Sequence, residues 1–272
     1  MSMVPMMGNK VVASGDVMDS NPEYYLSMGL TAENVAVKYK VSREEQDEFA
    51  LRSHKKSLAA IEAGHFKDEI TPVKVKRRKL DKNGVVQEKI MTIDTDEGPR
   101  ADTSVEALAK LRTVFKTGGS VTAGNSSQMS DGAAMSLVVS ESFLKKHNLT
   151  PIARFCGYQV AGVDPKIMGI GPVAAIPKAC QQAGIKQDEI ERIELNEAFA
   201  SQSIAVIREL GLDPKKVNPT GGAVSLGHPL GATGAKLSAS LIYGMKRDKQ
   251  KYGMVTMCIG TGMGAAGIFE RL

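Results

Sequence analysis

GGAVSLGHPLGATGAK, running from Gly221 to Lys236, is the stretch on which the reading of this chain turns. Its many glycines, two of them adjacent, allow positive φ and close approach of the backbone to a ligand. A single histidine, His228, stands between Gly227 and Pro229. The proline holds His228 to an extended backbone, and the residues after it, Ala232 to Met245, are predicted to form a helix. An imidazole on a stiff turn ahead of a helix has two readings. It is a packed histidine in a glycine-rich loop, or it is held rigid to do chemistry.

Reading outward, the flanks of this loop are strands and helices in alternation. Upstream, Ile152 to Val163 is strand-like. Pro172 suits the first turn of a helix that Gly184 ends. Asp188 starts a helical turn, Ile190 to Leu195 reads as a strand, and Asn196-Glu197-Ala198-Phe199-Ala200 opens a long helix ending at Gly211. Downstream, YGMVTMCIGTGMGAAGIFERL is a strand, a glycine-rich turn from Gly260 to Gly264 and a return strand, with Cys258 at the end of the first strand. Strands alternating with helices predict a layered α/β fold. Asn196 and Glu197 then sit at a strand-to-helix junction, where open α/β sheets carry site residues, although both residue types are also ordinary helix starters. For Cys258 the plain alternative is a buried structural thiol.

The first 150 residues are less regular. Residues 1–30 scatter Pro, Gly, Asn and Ser among four methionines in the first seven positions, and no strand or helix is predicted to begin there. Thr31 is expected to cap a short helix, TAENVAVKYK. Ser42 with Glu45 forms a capping box for a second helix that Gly64 ends, with Phe49, Ser53, Ala60 and Ile61 near one face. ITPVKVKRRK, Ile70 to Lys79, reads as a half-exposed strand. Asp81-Lys82-Asn83-Gly84 is a hairpin turn, and Val85 to Ile93 returns. Arg100 lies in a loop from Asp94 to Thr103, and Ser104 to Phe115 is a short helix. VTAGNSSQMSDGAA, Val121 to Ala134, is a small polar loop whose hydroxyls and amides bind a ligand or satisfy their own backbone. An apolar strand is expected at Met135 to Ser140, and Thr150-Pro151 marks a boundary.

Net charge is +5, from 35 Lys and Arg against 30 Asp and Glu. With 5% aromatic residues and no recognisable nucleic-acid motif, a phosphorylated small ligand is a better partner for that charge than a nucleic acid. The basic run Lys74 to Lys79 reads first as a solvated strand face. The cysteines Cys156, Cys180 and Cys258 lack metal-ligand spacing and an even-numbered disulfide framework, which fits a reducing compartment, the cytoplasm. No apolar run is long enough to span a membrane, and no signal peptide is recognised.

Asn196 with Glu197, His228, and Cys258 followed by Ile259-Gly260 together suit carbon–carbon chemistry on a thioester. The enolate and the tetrahedral intermediate both place charge on a carbonyl oxygen. An imidazole N–H, an asparagine-held water and a backbone amide such as that of Gly260 are the donors this charge needs, each worth about 2.7–4 kcal/mol. The same chemistry needs a base for an α-proton and an acid for a leaving thiolate. A cysteine with its pKa lowered by neighbours serves as both.

NEAFA, GGAVSLGHPLGATGA and CIGTGMG, in that order, resemble the C-terminal motifs of the thiolase family. AGNSSQMSDGAA and MGLTAENVA resemble further stretches of it. MGIGPVAAIP is most similar to the degradative 3-ketoacyl-CoA thiolases of fatty-acid β-oxidation, with the acetoacetyl-CoA-forming enzymes close behind. NEAFA differs from the motif of the sterol-carrier type. The resemblance implies a thiolase-like layered fold and an acyltransferase that takes coenzyme A and acyl-CoA as substrates, with no separate cofactor or metal, working as a homo-oligomer. It implies that His228 activates a nucleophilic cysteine and polarises the thioester, and that Cys258 moves the α-proton. Asn196 would hold an oxyanion-hole water and the Gly260 amide would line a second hole. Ser127 would contact pantetheine, Met28 and Met168 would line its channel, and Arg100 would lie near the nucleotide.

One departure is large. The family acylates a cysteine in an N-terminal motif that these residues lack. The expectation is therefore a complete C-terminal half and a mostly missing N-terminal half. On it, 1–118 would be a coenzyme-A-binding loop (lid) domain, 119–150 a trailing part of the N-terminal domain and 151–272 the C-terminal domain. Such a chain should be inactive alone and either depend on a separate N-terminal chain or serve as a non-catalytic coenzyme-A-binding subunit.

Overall fold

The structure, a computed structural model, describes residues 13–272. Of the irregular segment expected at 1–30, residues 1–12 lie outside the described part. The rest is more ordered than its composition predicts. A short helix α1 (Gly15–Ser20) and a 3₁₀ turn at Pro22–Tyr25 lead into α2 (Met28–Lys38). The cap of α2 is Ser27, whose hydroxyl accepts from the amide of Leu30, so the helix begins a turn earlier than Thr31. Thr31 is instead buried inside the helix and donates to the Met28 carbonyl.

Ser42 and Glu45 form the predicted capping box of α3 (Arg43–Glu62), and Gly64 turns the chain out in the left-handed conformation. The buried face of α3 is polar, not apolar: it carries Gln46, Asp47, Ser53, His54 and Ser57 beside Ala50 and Ala60. Phe49 and Ile61 are only half-buried. β1 (Val73–Leu80) and β2 (Val86–Ile93) form the expected hairpin, an exposed antiparallel ribbon. Part of its basic run is neutralised locally, because Lys76 and Arg78 both bridge Glu88. The helix predicted at Ser104 to Phe115 shrinks to α4 (Val105–Ala109). Residues 135–140 form no strand among the described residues. Met135, Leu137 and Val138 stand exposed there without a ladder partner, and a strand needs one. α5 (Glu141–His147) follows.

From Ala153 onward the chain builds a mixed sheet of four strands. These are β3 (Ala153–Gly162), β4 (Arg192–Leu195), β5 (Tyr252–Ile259) and β6 (Met263–Arg271), in the order β3-β6-β5-β4. Only β4 and β5 run parallel; the other neighbours are antiparallel. α6 (Gly171–Ala183) follows a 3₁₀ segment at Pro165–Ile170, takes Pro172 in its first turn and ends at Gly184 in the left-handed conformation. α7 (Ala200–Glu209) starts later than predicted, because Phe199 is extended and paired in an isolated bridge with Ser126. α8 (Ala223–Leu226) is one turn long, and α9 (Thr233–Asp248) is the helix read from the sequence.

Side-chain alternation divides the core between the two faces of the sheet. Met254 of β5 and Ile268 of β6 pack with Ile176 and Ala179 of α6 and Val206 of α7. Val255 of β5 packs the opposite way, with Leu237, Leu241 and Met245 of α9. The buried Arg192 guanidinium ties β4 to α9: its Nε lies 2.8 Å from Glu194 Oε1 within the strand, and its Nη1 lies 3.1 Å from Oδ2 of the partly exposed Asp248.

Gly244 of α9 lies directly against the Arg192 guanidinium, so a Cβ there would overlap it. Gly244→Ala must displace a buried charge from both carboxylates, a change worth about 3–5 kcal/mol. Chemical denaturation should show a loss of that order; a midpoint within error of the parent would show that α9 can shift away at little cost.

Candidate functional site

The parallel pairing of β4 and β5 builds the site. Leu195 pairs with Thr256, and the Asn196 amide donates to the Thr256 carbonyl at 3.0 Å. The residues that follow these strands therefore emerge side by side, with Asn196 just past β4 and Cys258 near the end of β5. Cys258 shares the side of β5 that bears Met254, opposite α9, and packs on Ala32, Val121, Ala198 and Phe199. Met28 of α2 packs on the same group. Ser127 joins it through its backbone, donating to the Ala198 carbonyl at 2.9 Å.

His228 is brought in by the loop between α8 and α9. Gly227 before it has φ +84°, and its α-carbon lies so close to Ser130 that a side chain would overlap the hydroxyl. The His228 amide donates to the Gln128 carbonyl at 3.3 Å. On the ring, Nδ1 lies 2.6 Å from Thr233 Oγ1 and Nε2 lies 3.3 Å from Asn196 Nδ2. The Thr233 hydroxyl donates its proton to the Pro229 carbonyl at 3.1 Å, so it accepts from His228 Nδ1–H. This chain of donors assigns the proton to Nδ1 and leaves the lone pair on Nε2, facing Asn196. Burial first, and then the positive charge of Lys236, hold the imidazole below its ordinary pKa. His228 is thus a neutral base at physiological pH. Asn196 is buried, and its Oδ1 has no hydrogen-bond partner among the described residues.

Cys258 departs from the sequence expectation. Its surface is only half-buried, but its sulfur is enclosed by apolar groups and no cation faces it, so desolvation pushes the thiol up to about 12. The expected lowering by neighbours does not occur. Gly260 follows directly in the turn to β6, where Thr261 and Gly262 both take positive φ.

Glu197 is neither a helix starter nor an open site residue. It is buried and accepts from Ser53 Oγ at 2.7 Å, Asn218 Nδ2 at 2.8 Å and the Val224 amide at 3.2 Å. Desolvation raises its pKa against these hydrogen bonds. It ties α3, the end of β4 and the His228 loop together. Two expected ligand contacts lie outside the group around Cys258. Arg100 is exposed, pairs with Asp102 at 3.1 Å and anchors only through its backbone, which donates to His54 Nδ1. Met168 is buried in the 3₁₀ segment and offers little surface to a ligand.

Comparison with known proteins gives the family. The family model "Thiolase, C-terminal domain" matches residues 149–271, and "Thiolase, N-terminal domain" matches residues 6–142. The chain belongs to the thiolase family. A 3-ketoacyl-CoA thiolase of Bacillus subtilis is 52% identical over 270 residues, 99% of this chain and 69% of that protein. An acetyl-CoA acetyltransferase of Pseudomonas aeruginosa is 52% identical over 244 residues, 90% of this chain and 60% of that protein. The structure of human mitochondrial 3-ketoacyl-CoA thiolase in complex with CoA aligns with a TM-score of 0.82 at 41% identity, over 98% of this chain and 66% of that one. The thiolase fold is thereby shown. The match of the N-terminal model over 6–142 gives no support to a mostly missing N-terminal half, nor to a separate chain supplying it. No helix of the described residues is long and apolar enough to cross a membrane.

Thr233, Gln128 and Glu197's partners were not singled out in the sequence. Thr233 had a signal: a hydroxyl five residues beyond the histidine falls at the start of the next helix, within reach of the ring.

A protonated Cys258 can be checked directly. The difference in ultraviolet thiolate absorbance between the parent chain and Cys258→Ser should stay flat from neutrality to about pH 10 and rise only toward 12. A thiolate signal near pH 8 would mean that a cation reaches the sulfur in solution.

Proposed function

We propose that this chain acts in acyl transfer on coenzyme A thioesters, as a thiolase cleaving 3-ketoacyl-CoA to acetyl-CoA and a shortened acyl-CoA. The carrying observation is that Asn196 and Cys258 stand at the ends of two adjacent parallel strands, with His228 Nε2 3.3 Å from Asn196 Nδ2. A thiol bound beside His228 gives its proton to Nε2 and attacks the 3-keto carbon. The imidazolium N–H, with a water on Asn196 Oδ1, then stabilises the oxyanion. The C2–C3 bond breaks, its electron pair passes into the thioester enolate, and the Cys258 thiol protonates C2 to give acetyl-CoA. The Gly260 amide supports the enolate oxygen. Incoming coenzyme A gives its proton to the Cys258 thiolate and its sulfur attacks the acyl thioester; the bond to the first thiol breaks, and that thiol leaves with the proton held on His228 Nε2. A cysteine that is a thiol at neutral pH enters cleavage as the acid, and in the reverse direction its thiolate is the base. The condensing direction, forming acetoacetyl-CoA, is the alternative that the acetyl-CoA acetyltransferase relative supports.

In this reading coenzyme A is a substrate, no other cofactor takes part, and the division at 118, 150 and 151 separates a lid, an N-terminal trailing part and a C-terminal domain. Ser127 and Met28 line the substrate's approach. Three free cysteines suit a reducing compartment such as the cytoplasm, and the unpaired edge and exposed apolar residues of β3, Phe155 and Val160, suit a homo-oligomer.

The acyl-accepting thiol is a separate matter. Cys180 and Cys156 pack in or against the core cluster of the sheet, and Cys258 is the proton donor. These 272 residues by themselves are proposed to cleave 3-ketoacyl-CoA poorly unless a thiol is added. With acetoacetyl-CoA and a longer 3-ketoacyl-CoA as substrates, cysteamine should stimulate cleavage beyond coenzyme A alone. His228→Ala and Cys258→Ala should each lower that cleavage by about 10²-fold or more. Cleavage indifferent to both variants would overturn the site assignment. An acylated cysteine found by mass spectrometry during turnover without cysteamine would overturn the proposal about the attacking thiol.

A further inference from the structure

Lys236 sits where a lysine is poorly placed, in the first turn of α9, at the positive end of the helix dipole. Its ammonium is enclosed, and it donates to the Leu226 carbonyl at 3.2 Å and the Gly227 carbonyl at 3.1 Å. Those are the last residue of α8 and the left-handed glycine from which His228 projects. Acidic groups from three other segments face it: Glu69 after α3, Asp96 in the loop before α4, and Glu194 and Glu197 around the end of β4. Glu69 accepts from Ser240 of α9 at 2.9 Å. Behind these acids lie the Arg192 and Lys56 cations. Burial lowers the pKa of Lys236 and these acids oppose that lowering, while its ammonium is held against the backbone of one turn, unlike a solvated lysine.

We propose that Lys236 is a positioning residue for His228: its ammonium grips the Leu226–Gly227 turn that aims the imidazole and brings a fixed positive charge to that turn. This deepens the acyl-transfer reading, yet the lysine acts on the histidine whether or not the chain turns over. Lys236 touches no substrate; it acts through the turn and through its charge. The depressed pKa of His228, caused by burial and then by Lys236, agrees with this.

The test is a ¹H–¹⁵N titration of the four histidines, His54, His65, His147 and His228, with His228→Asn for assignment. In Lys236→Met, His228 should titrate higher by at least about half a pH unit, the size expected when a nearby like charge is removed. Lys236→Arg, which keeps the charge, should hold the parent value, and His147, exposed on α5, should not move. Should Lys236→Met fail to fold because its acids are left unpaired, the double variant Lys236→Met with Glu69→Gln removes cation and acid together and is read the same way. An unchanged His228 in a folded Lys236→Met or double variant overturns the proposal. So does a His228 in the parent chain that titrates at or above the ordinary imidazole value, whatever the variants do. If His228 responds as stated but no thiol-dependent cleavage is found, the acyl-transfer reading fails and the role of Lys236 stands.

Discussion

Everything at the site depends on the register of one pair of parallel strands. With Leu195 opposite Thr256, Asn196 and Cys258 leave the sheet together. A shift of one residue would turn Cys258 toward α9 and Met257 toward the site, because successive side chains alternate between faces. Burial on both faces prevents that slip: Met254 fits against α6 and Val255 against α9. The core that stabilises the sheet therefore also sets which sulfur lies on the side of Ala198 and Phe199.

Around this register the chain spends buried polar groups rather than apolar ones. α3 presents Ser53 and Ser57 to the His228 loop, and their hydroxyls meet Glu197 and Ser225. Glu33 of α2 accepts from the amides of Ser120 and Val121 and so fixes the start of the loop that ends at Ser127 and Gln128. Buried carboxylates are costly unless their acceptors are filled, and here each is filled by donors from a different segment. Such contacts specify one arrangement of loops more sharply than apolar packing does, since a displaced donor leaves a charge unpaired.

That use of polar groups explains which parts could be read from the amino acids. The strand and helix alternation after Ala153 was legible, because it is carried by apolar periodicity and by Pro172 and Gly184 at helix ends. His228, Asn196 and Cys258 were legible from their setting among glycines and at strand ends. The polar face of α3 was not, since Gln46, Asp47, Ser53 and His54 look like solvent residues until their partners, up to 172 residues away, are in place. The strand expected at 135–140 failed for the opposite reason: its residues have strand propensity, but propensity without a ladder partner leaves backbone groups to water. The environment of Cys258 was misjudged because a sequence cannot show that no cation reaches a given sulfur.

His228 and Cys258 end up as a pair of groups whose surroundings push their proton affinities in opposite directions. Desolvation favours the neutral form of each, and the neutral form of an imidazole is a base whereas that of a thiol is an acid. Both are therefore neutral in the same resting state, one able to accept a proton and the other to give one. The apolar wall of Ala198, Phe199, Val121 and Ala32 behind Cys258 does this as much as any polar contact. A cation placed beside the sulfur would lower the thiol's pKa and favour the thiolate. The nearest buried cation of the loop, Lys236, is directed at the backbone before His228 instead, where its charge lowers the basicity of the imidazole without reaching the thiol. Burial thus separates the acid from the base, and Lys236 adds to it at the imidazole alone.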